Sequence, residues 1–315
     1  MEYKNKLAST VKAFWDGDGL FLDDAEGRKK AITRATKDLM ARTLKRIASE
    51  TESFNDAVIC VLLPKIDEWF SLPQAYISQD TFDDWHSRAC KEMLSVLRAF
   101  YTNQDGTPVA YGKAQKIVNM SMKGLYCLEG AMAAERNLYF QHCHIALDSF
   151  TLEWFKRVII EPGKALVKGK VDSWSALQNL EADEYENNQK TYYCYHKIVG
   201  LIRNHFSVSK PFDGLTPLQA EFFIWSEIQL EMAAEALYAQ EASSEDAVDY
   251  MLEYLSRIRD LDNRVEKIKN AKEKFSVCKK LFREMSVGEK LIFLEDRIKK
   301  MRSLYPVEAD VAAYK

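Results

Sequence analysis

Two lysines three residues apart, Lys113 and Lys116, and a later aspartate, Asp148, are the residues whose types and order could carry covalent chemistry. A lysine amine attacks an electrophile only when burial or a neighbouring cation lowers its pKa. Lysines at i and i+3 share one helical face, where one can activate the other. Asp148 stands just before an apolar run containing Phe150, Trp154, Phe155 and Val158, the place of a helix N-cap. There the helix dipole keeps a carboxylate ionised, able to stabilise a developing cation or to orient a water. The same residues also fit plainer roles, since lysines at this spacing most often form a solvated face and an aspartate before a helix is most often only its cap.

These residues lie in two blocks, Tyr111-Gly112-Lys113-Ala114-Gln115-Lys116-Ile117-Val118-Asn119-Met120 and Cys143-His144-Ile145-Ala146-Leu147-Asp148, the second continuing through Ser149-Phe150-Thr151-Leu152-Glu153-Trp154. The blocks resemble a group of uncharacterised bacterial all-helical proteins and, more distantly, the helix-hairpin-helix DNA glycosylases. The resemblance covers about a fifth of the chain. It implies that Lys116, or failing that Lys113, matches the nucleophilic lysine of those enzymes, and that Asp148 matches the aspartate beside the flipped base. The typical Leu-Pro-Gly-Val-Gly hairpin is missing, with Asp105-Gly106-Thr107-Pro108 and Gly112 nearby instead.

A DNA partner would need cations, and net charge overall is −3. Between positions 113 and 170, however, nine basic residues (Lys113, Lys116, Lys123, Arg136, Lys156, Arg157, Lys164, Lys168, Lys170) face five acidic ones, a local excess of four. Lys113, Lys123, Lys156, Arg157, Lys164, Lys168 and Lys170 are therefore the candidate phosphate contacts. His142 and His144 with Asp148, or His86 with Cys90 at i and i+4, have ligand-like types, but neither supplies three ligands at a recognised spacing, so no metal is expected. The tyrosines at 185, 192, 193 and 195 could stack unpaired bases or simply fill a core. No Walker loop, dinucleotide fingerprint, nucleophile elbow or HExxH motif is present, and no cofactor is expected.

The elements that must position these residues are helices. Apolar residues recur at threes and fours between only 12 glycines and 7 prolines, which predicts an all-α chain. Helices are predicted around 7–15, 28–49, 54–70, 82–101, 110–128, 149–160, 174–180, 185–206 and from Pro217 onward, where Thr216 caps and Gln219 closes a capping box. The Asp16-Gly17-Asp18-Gly19 segment reads as a turn. An uninterrupted stripe from Val248 to Met285 predicts one long helix, followed by a shorter one from Glu289. Residues 1–240 then form a helical body, and 241–315 a hairpin suited to homodimerisation through Leu255, Ile258, Leu261, Val265 and Ile268.

No apolar run approaches the roughly 18 residues of a membrane span, and Met1-Glu2-Tyr3-Lys4-Asn5-Lys6 opens no secretory segment. The six cysteines are scattered without a CxxC pair, the pattern of a reducing compartment. A cytoplasmic protein without membrane contact is expected. Two functions remain open: a DNA-binding protein with a glycosylase-like Lys/Asp site, or a non-catalytic helical interaction protein that self-associates through its C-terminal helices.

Overall fold

The computed structural model describes residues 2–15, 17–39, 44–49, 51–160, 173–178 and 194–238. The predicted C-terminal hairpin, its dimer seam and the 241–315 unit lie outside these residues, as do Tyr185, Tyr192, Tyr193 and the lysines at 164, 168 and 170.

The fold is all-α. Among the described residues the helices are α1 (Glu2–Phe14), α2 (Ala25–Leu39), α3 (Phe54–Phe70), α4 (Gln79–Phe100), α5 (Tyr111–Tyr126), the short α6 (Ala134–Asn137), α7 (Ser149–Phe155), α8 (Tyr195–Ser209) and α9 (Pro217–Tyr238), with a kinked helical turn, Pro211–Gly214, between the last two. Four short strands lie between them: β1 (Gly17–Phe21), β2 (Leu44–Arg46), β3 (Tyr101–Asn103) and β4 (Leu128–Glu129). β1 runs parallel to β4 and β2 antiparallel to β3.

Three local expectations are corrected. Where a turn is predicted at 16–19, residues 17–19 lie in β1, because Gly17 lets the chain pass close to the Cys127 carbonyl and pair with Leu128. The stretch expected to be helical from 28 to 49 leaves the helix at Leu39, and Leu44–Arg46 pairs with Tyr101–Asn103. Where a helix is predicted at 174–180, the described residues, 173–178, hold a single 3₁₀ turn, Trp174–Ala176. A stretch that short has too few intrahelical hydrogen bonds to offset helix nucleation and takes its shape from what it packs against.

Capping follows side-chain chemistry closely. Ser53 accepts from Asp56 N at the start of α3, Ser78 from Thr81 N at the start of α4, and Thr216 from Gln219 N at the start of α9. Each cap gives a partner to a backbone donor that has none inside the helix, worth about 1 kcal/mol.

The helix at the centre of the packing is α5, which α2 and α4 flank. Gly124 of α5 sets the approach to α2, since a Cβ there would stand 3.2 Å from the Ala31 Cβ. Fourteen α5 residues are buried, so it has hardly any solvated face. An aromatic layer of Trp69, Phe82, Trp85, Tyr139 and Phe140 fills the space between α3, α4 and the 138–140 turn, with Trp69 donating its indole N–H to the Tyr139 carbonyl at 3.1 Å. Full burial of such side chains contributes ~1.5–3 kcal/mol each. No helix among the described residues is long and apolar enough to cross a membrane.

Candidate functional site

Only Lys116 and Met120 of α5 are not fully buried, so Lys116 is the one charged side chain of that helix that reaches the surface. Its ammonium lies 3.7 Å from Asp148 Oδ2 and 4.8 Å from the centre of the Trp174 ring. The Lys116 and Asp148 side chains are 15% and 13% exposed, enough to be reached from solvent yet mostly shielded from it.

Asp148 is held on its other oxygen. Oδ1 accepts from the backbone N–H groups of Phe150 and Thr151 at 2.9 and 3.1 Å, while the Asp148 N–H donates to Thr151 Oγ1 at 2.8 Å, a reciprocal capping box at the start of α7. One carboxylate oxygen is thereby committed to the helix and the other turns to Lys116. Beyond α7 the chain passes into a π-helical turn, Lys156–Ile160.

Trp174 reaches Lys116 because position 112 has no side chain. A Cβ there would meet the Trp174 carbonyl oxygen at 1.8 Å, and the Gly112 N–H donates to the Leu177 carbonyl at 2.9 Å. The glycine in the first block therefore brings a distant turn across the start of α5 and lays an indole over the ammonium.

The segment 145–148 that delivers Asp148 belongs to no helix or strand, so its backbone polar groups need other partners. Buried side chains supply them. Gln115 donates to the Leu147 carbonyl at 2.7 Å and accepts from the Leu147 N–H at 3.2 Å; Asn119 donates to the Ile145 carbonyl at 3.2 Å. Glu221 of α9 accepts from the Ala146 N–H at 2.8 Å, and Thr151 donates to the Ala146 carbonyl at 2.6 Å. The other Glu221 oxygen accepts from Lys123 at 2.9 Å, with the Lys123 ammonium also over the Phe14 and Phe222 rings. Burial pushes the Glu221 carboxyl up, against the opposing pull of Lys123 and of the Ala146 N–H.

A second buried polar chain adjoins the first. Asp83 Oδ1 accepts from His144 Nε2 at 2.7 Å, from Gln79 at 2.9 Å and from Arg203, which also reaches Oδ2 at 2.9 Å. His144 Nδ1 lies 3.0 Å from the Tyr195 hydroxyl, and His86 Nε2 lies 2.8 Å from Asn119 Oδ1. An amide oxygen only accepts, so His86 carries its proton on Nε2. Asp83 likewise requires the His144 proton on Nε2, leaving Nδ1 to accept from Tyr195. Burial pushes both imidazoles below the usual histidine range. Burial would raise the Asp83 carboxyl, but hydrogen bonds from His144 and Gln79 and the charge of Arg203 hold it well below the carboxylate range. A pocket of about 60 Å³ opens beside this chain, lined among others by Gln79, His142, His144, Arg203 and Phe206.

The remaining sequence candidates are dispersed. Lys113 is buried and donates to Asn103 Oδ1 at 2.8 Å, so it is drawn toward β3 and not to Lys116; burial lowers its pKa, with Asp105 opposing. Lys123 is buried against Glu221. Both were candidate phosphate contacts, and in the fold their ammonium groups are enclosed by protein. Lys156 and Arg157 are half-buried and pair with Glu153 at 3.9 and 2.8 Å. His86 and Cys90 meet, with Sγ 3.5 Å from Nε2, but burial pushes the Cys90 thiol up, away from the thiolate a metal would need. Among the described residues no group of three His, Cys, Asp or Glu side chains could hold a metal ion.

Compared with protein-family models, with curated proteins and with solved structures, the chain matches none. The chemistry of the site is therefore read from its own atoms. Of the residues that build it, Asp83, Gln115, Asn119, Arg203 and Glu221 had no role predicted from the sequence, while Tyr195, expected to stack bases or to fill a core, is buried. Gln115 and Asn119 carried a signal: two amides at i and i+4 share one helical face, and when that face is buried both need polar partners.

Proposed function

We propose that this protein binds DNA locally and excises or recognises a base at the Lys116–Asp148 pair. The observation that carries the reading is the 3.7 Å approach of the Lys116 ammonium to Asp148 Oδ2 under the Trp174 ring. An amine, a carboxylate and an aromatic face are what extraction and removal of a base require: the face stacks the base, the amine attacks the sugar and the carboxylate stabilises the cationic sugar.

In that chemistry Lys116, as the free amine, forms a bond to C1′ of the deoxyribose. The glycosidic C1′–N bond breaks, and its electron pair leaves with the base, which takes up a proton. Ring opening then gives a protonated imine between Lys116 and C1′, which water hydrolyses or borohydride reduces to a stable amine. Asp148, held in place by the start of α7, offers its second oxygen to the positive charge that grows on the sugar. The phosphate surface would draw on Lys156, Arg157, Lys164, Lys168 and Lys170, with Lys113 and Lys123 serving the core.

Borohydride trapping on duplex DNA with a single abasic site tests the reading. The expected result is a covalent adduct with wild-type protein and none with Lys116→Ala. On duplexes carrying an oxidised, deaminated or alkylated base, Asp148→Asn is expected to slow base release by about 100-fold or more, the scale of losing a preorganised charge at the reacting centre. Absence of an adduct with wild-type protein, together with no base released from any of these duplexes, would refute base excision and leave the reading of a non-catalytic helical interaction protein.

A further inference from the structure

We infer that Glu221, whose hydrogen bonds go to Lys123 and to the Ala146 N–H, is a positioning residue that sets where the Asp148 carboxylate stands relative to Lys116. The geometric claim stands alone, and its catalytic consequence rests on the base-excision reading.

Glu221 and Lys123 are 2% and 3% exposed, and taking two charges out of water costs more than a packed apolar pair of similar volume would. Stability alone gives such a pair no reason to exist. What it provides is a fixed acceptor, since a carboxylate clamped by an ammonium on one oxygen has its other oxygen held rigidly for the Ala146 N–H at 2.8 Å.

The opposite side of the same residue is clamped too, by Thr151 Oγ1 on the Ala146 carbonyl at 2.6 Å. Thr151 also accepts from the Asp148 N–H, and its own N–H donates to Asp148 Oδ1. Thus α9 grips Ala146, Ala146 grips Thr151, and Thr151 orients Asp148. On the facing side Gln115 fixes Leu147 from α5, the helix that carries Lys116. Both partners of the candidate site are referred to one framework, in which Lys123 and Lys116 lie seven residues apart on α5, one serving Glu221 and the other meeting Asp148. Release of Ala146 would let the 145–148 segment shift, and a displacement of about 1 Å at a reacting centre can cost about 100-fold in rate.

Replacing Glu221 alone would strand the Lys123 charge in the core, so the test uses two variants with a neutral core. Lys123→Met with Glu221→Gln keeps an acceptor for the Ala146 N–H; Lys123→Met with Glu221→Leu removes it. The first readout is amide hydrogen exchange by NMR. In the Leu variant the Ala146, Phe150 and Thr151 amides are expected to exchange about ten-fold faster or more than in the Gln variant, with Ala89 and Met93 of α4 unchanged, because only the segment's local opening is made easier.

The second readout separates placement of Asp148 from presence of Lys116. Single-turnover base release is expected to fall about ten-fold or more in the Leu variant and to be rescued by Gln, while borohydride trapping on a preformed abasic site persists in both. Equal Phe150 and Thr151 exchange in the two variants would overturn the inference, as would equal base release from an active protein. If wild-type protein neither traps nor releases a base but the exchange difference is present, base excision fails and the positioning role stands.

Discussion

Replacing Gly112 with alanine sets two effects of opposite sign against each other at one atom. Helix propensity alone would make Gly112→Ala stabilising by up to about 1 kcal/mol, because alanine loses less backbone entropy in a helix. The structure reverses the sign. The new Cβ would stand 1.8 Å from the Trp174 carbonyl oxygen, where real contacts do not fall below 3.0 Å, so the 173–178 turn must retreat by about 1.2 Å or more. That retreat weakens the Gly112 N–H to Leu177 carbonyl hydrogen bond, worth ~0.5–1.5 kcal/mol. It also moves the indole from the Lys116 ammonium, a contact worth ~0.5–2 kcal/mol. Together these lose about 1–3.5 kcal/mol against a gain of at most about 1, so a net loss of up to about 2.5 kcal/mol is expected.

Gly200 in α8 provides the control, since a Cβ there meets nothing within 4 Å and the residue is exposed. Gly200→Ala is expected to stabilise by about 0.5–1 kcal/mol through propensity alone. Urea denaturation of both variants measures the two effects. If Gly112→Ala gains as much as Gly200→Ala, the Trp174 turn does not lie across the start of α5 and the account of how the indole reaches Lys116 is wrong.

Lys123→Met alone is expected to cost about 3–5 kcal/mol by leaving Glu221 buried without its cation, and Lys123→Met with Glu221→Leu to recover most of it; a single-variant loss below about 1 kcal/mol in urea would show that the pair is solvated. The two buried histidines set an acid limit. The folded pKa values of His86 and His144 lie below 6.5 because burial disfavours the imidazolium, so as pH falls below 6.5 the unfolded chain binds protons that the folded chain does not. Stability is therefore complete above pH 6.5 and declines below it by up to about 1.4 kcal/mol per pH unit for each histidine. Urea titrations between pH 7 and 5 should show this slope, and His144→Asn should reduce it; a flat profile would contradict neutral buried imidazoles. Asp83 acts lower, since its depressed carboxyl stabilises the fold above 3.8 and that contribution is lost as pH falls further.

The sequence by itself determined the class of fold and most helix boundaries, because these depend on local spacing and on caps. The period of three and four, Asp148 before its apolar run, and Thr216-Pro217-Leu218-Gln219 are short-range signals, and the helices begin where they say. The sequence also named Lys116 and Asp148, which the fold brings within 3.7 Å of each other. Which lysines face solvent was decided only by tertiary structure. Lys113, Lys116 and Lys123 lie on one helix and look alike in sequence, yet one is drawn to Asn103, one reaches Asp148 at the surface and one is enclosed with Glu221. The reason is that α5 is buried on almost every side, so the fate of each charge depends on what α9, β3 and the 174–177 turn place opposite it. Those partners come from as far as 98 residues along the chain, as Lys123 and Glu221 do, and no local pattern records them. The same holds for His86, Asn119, His144 and Tyr195, four residues from three helices and a loop whose hydrogen bonds exist only once the helices have packed.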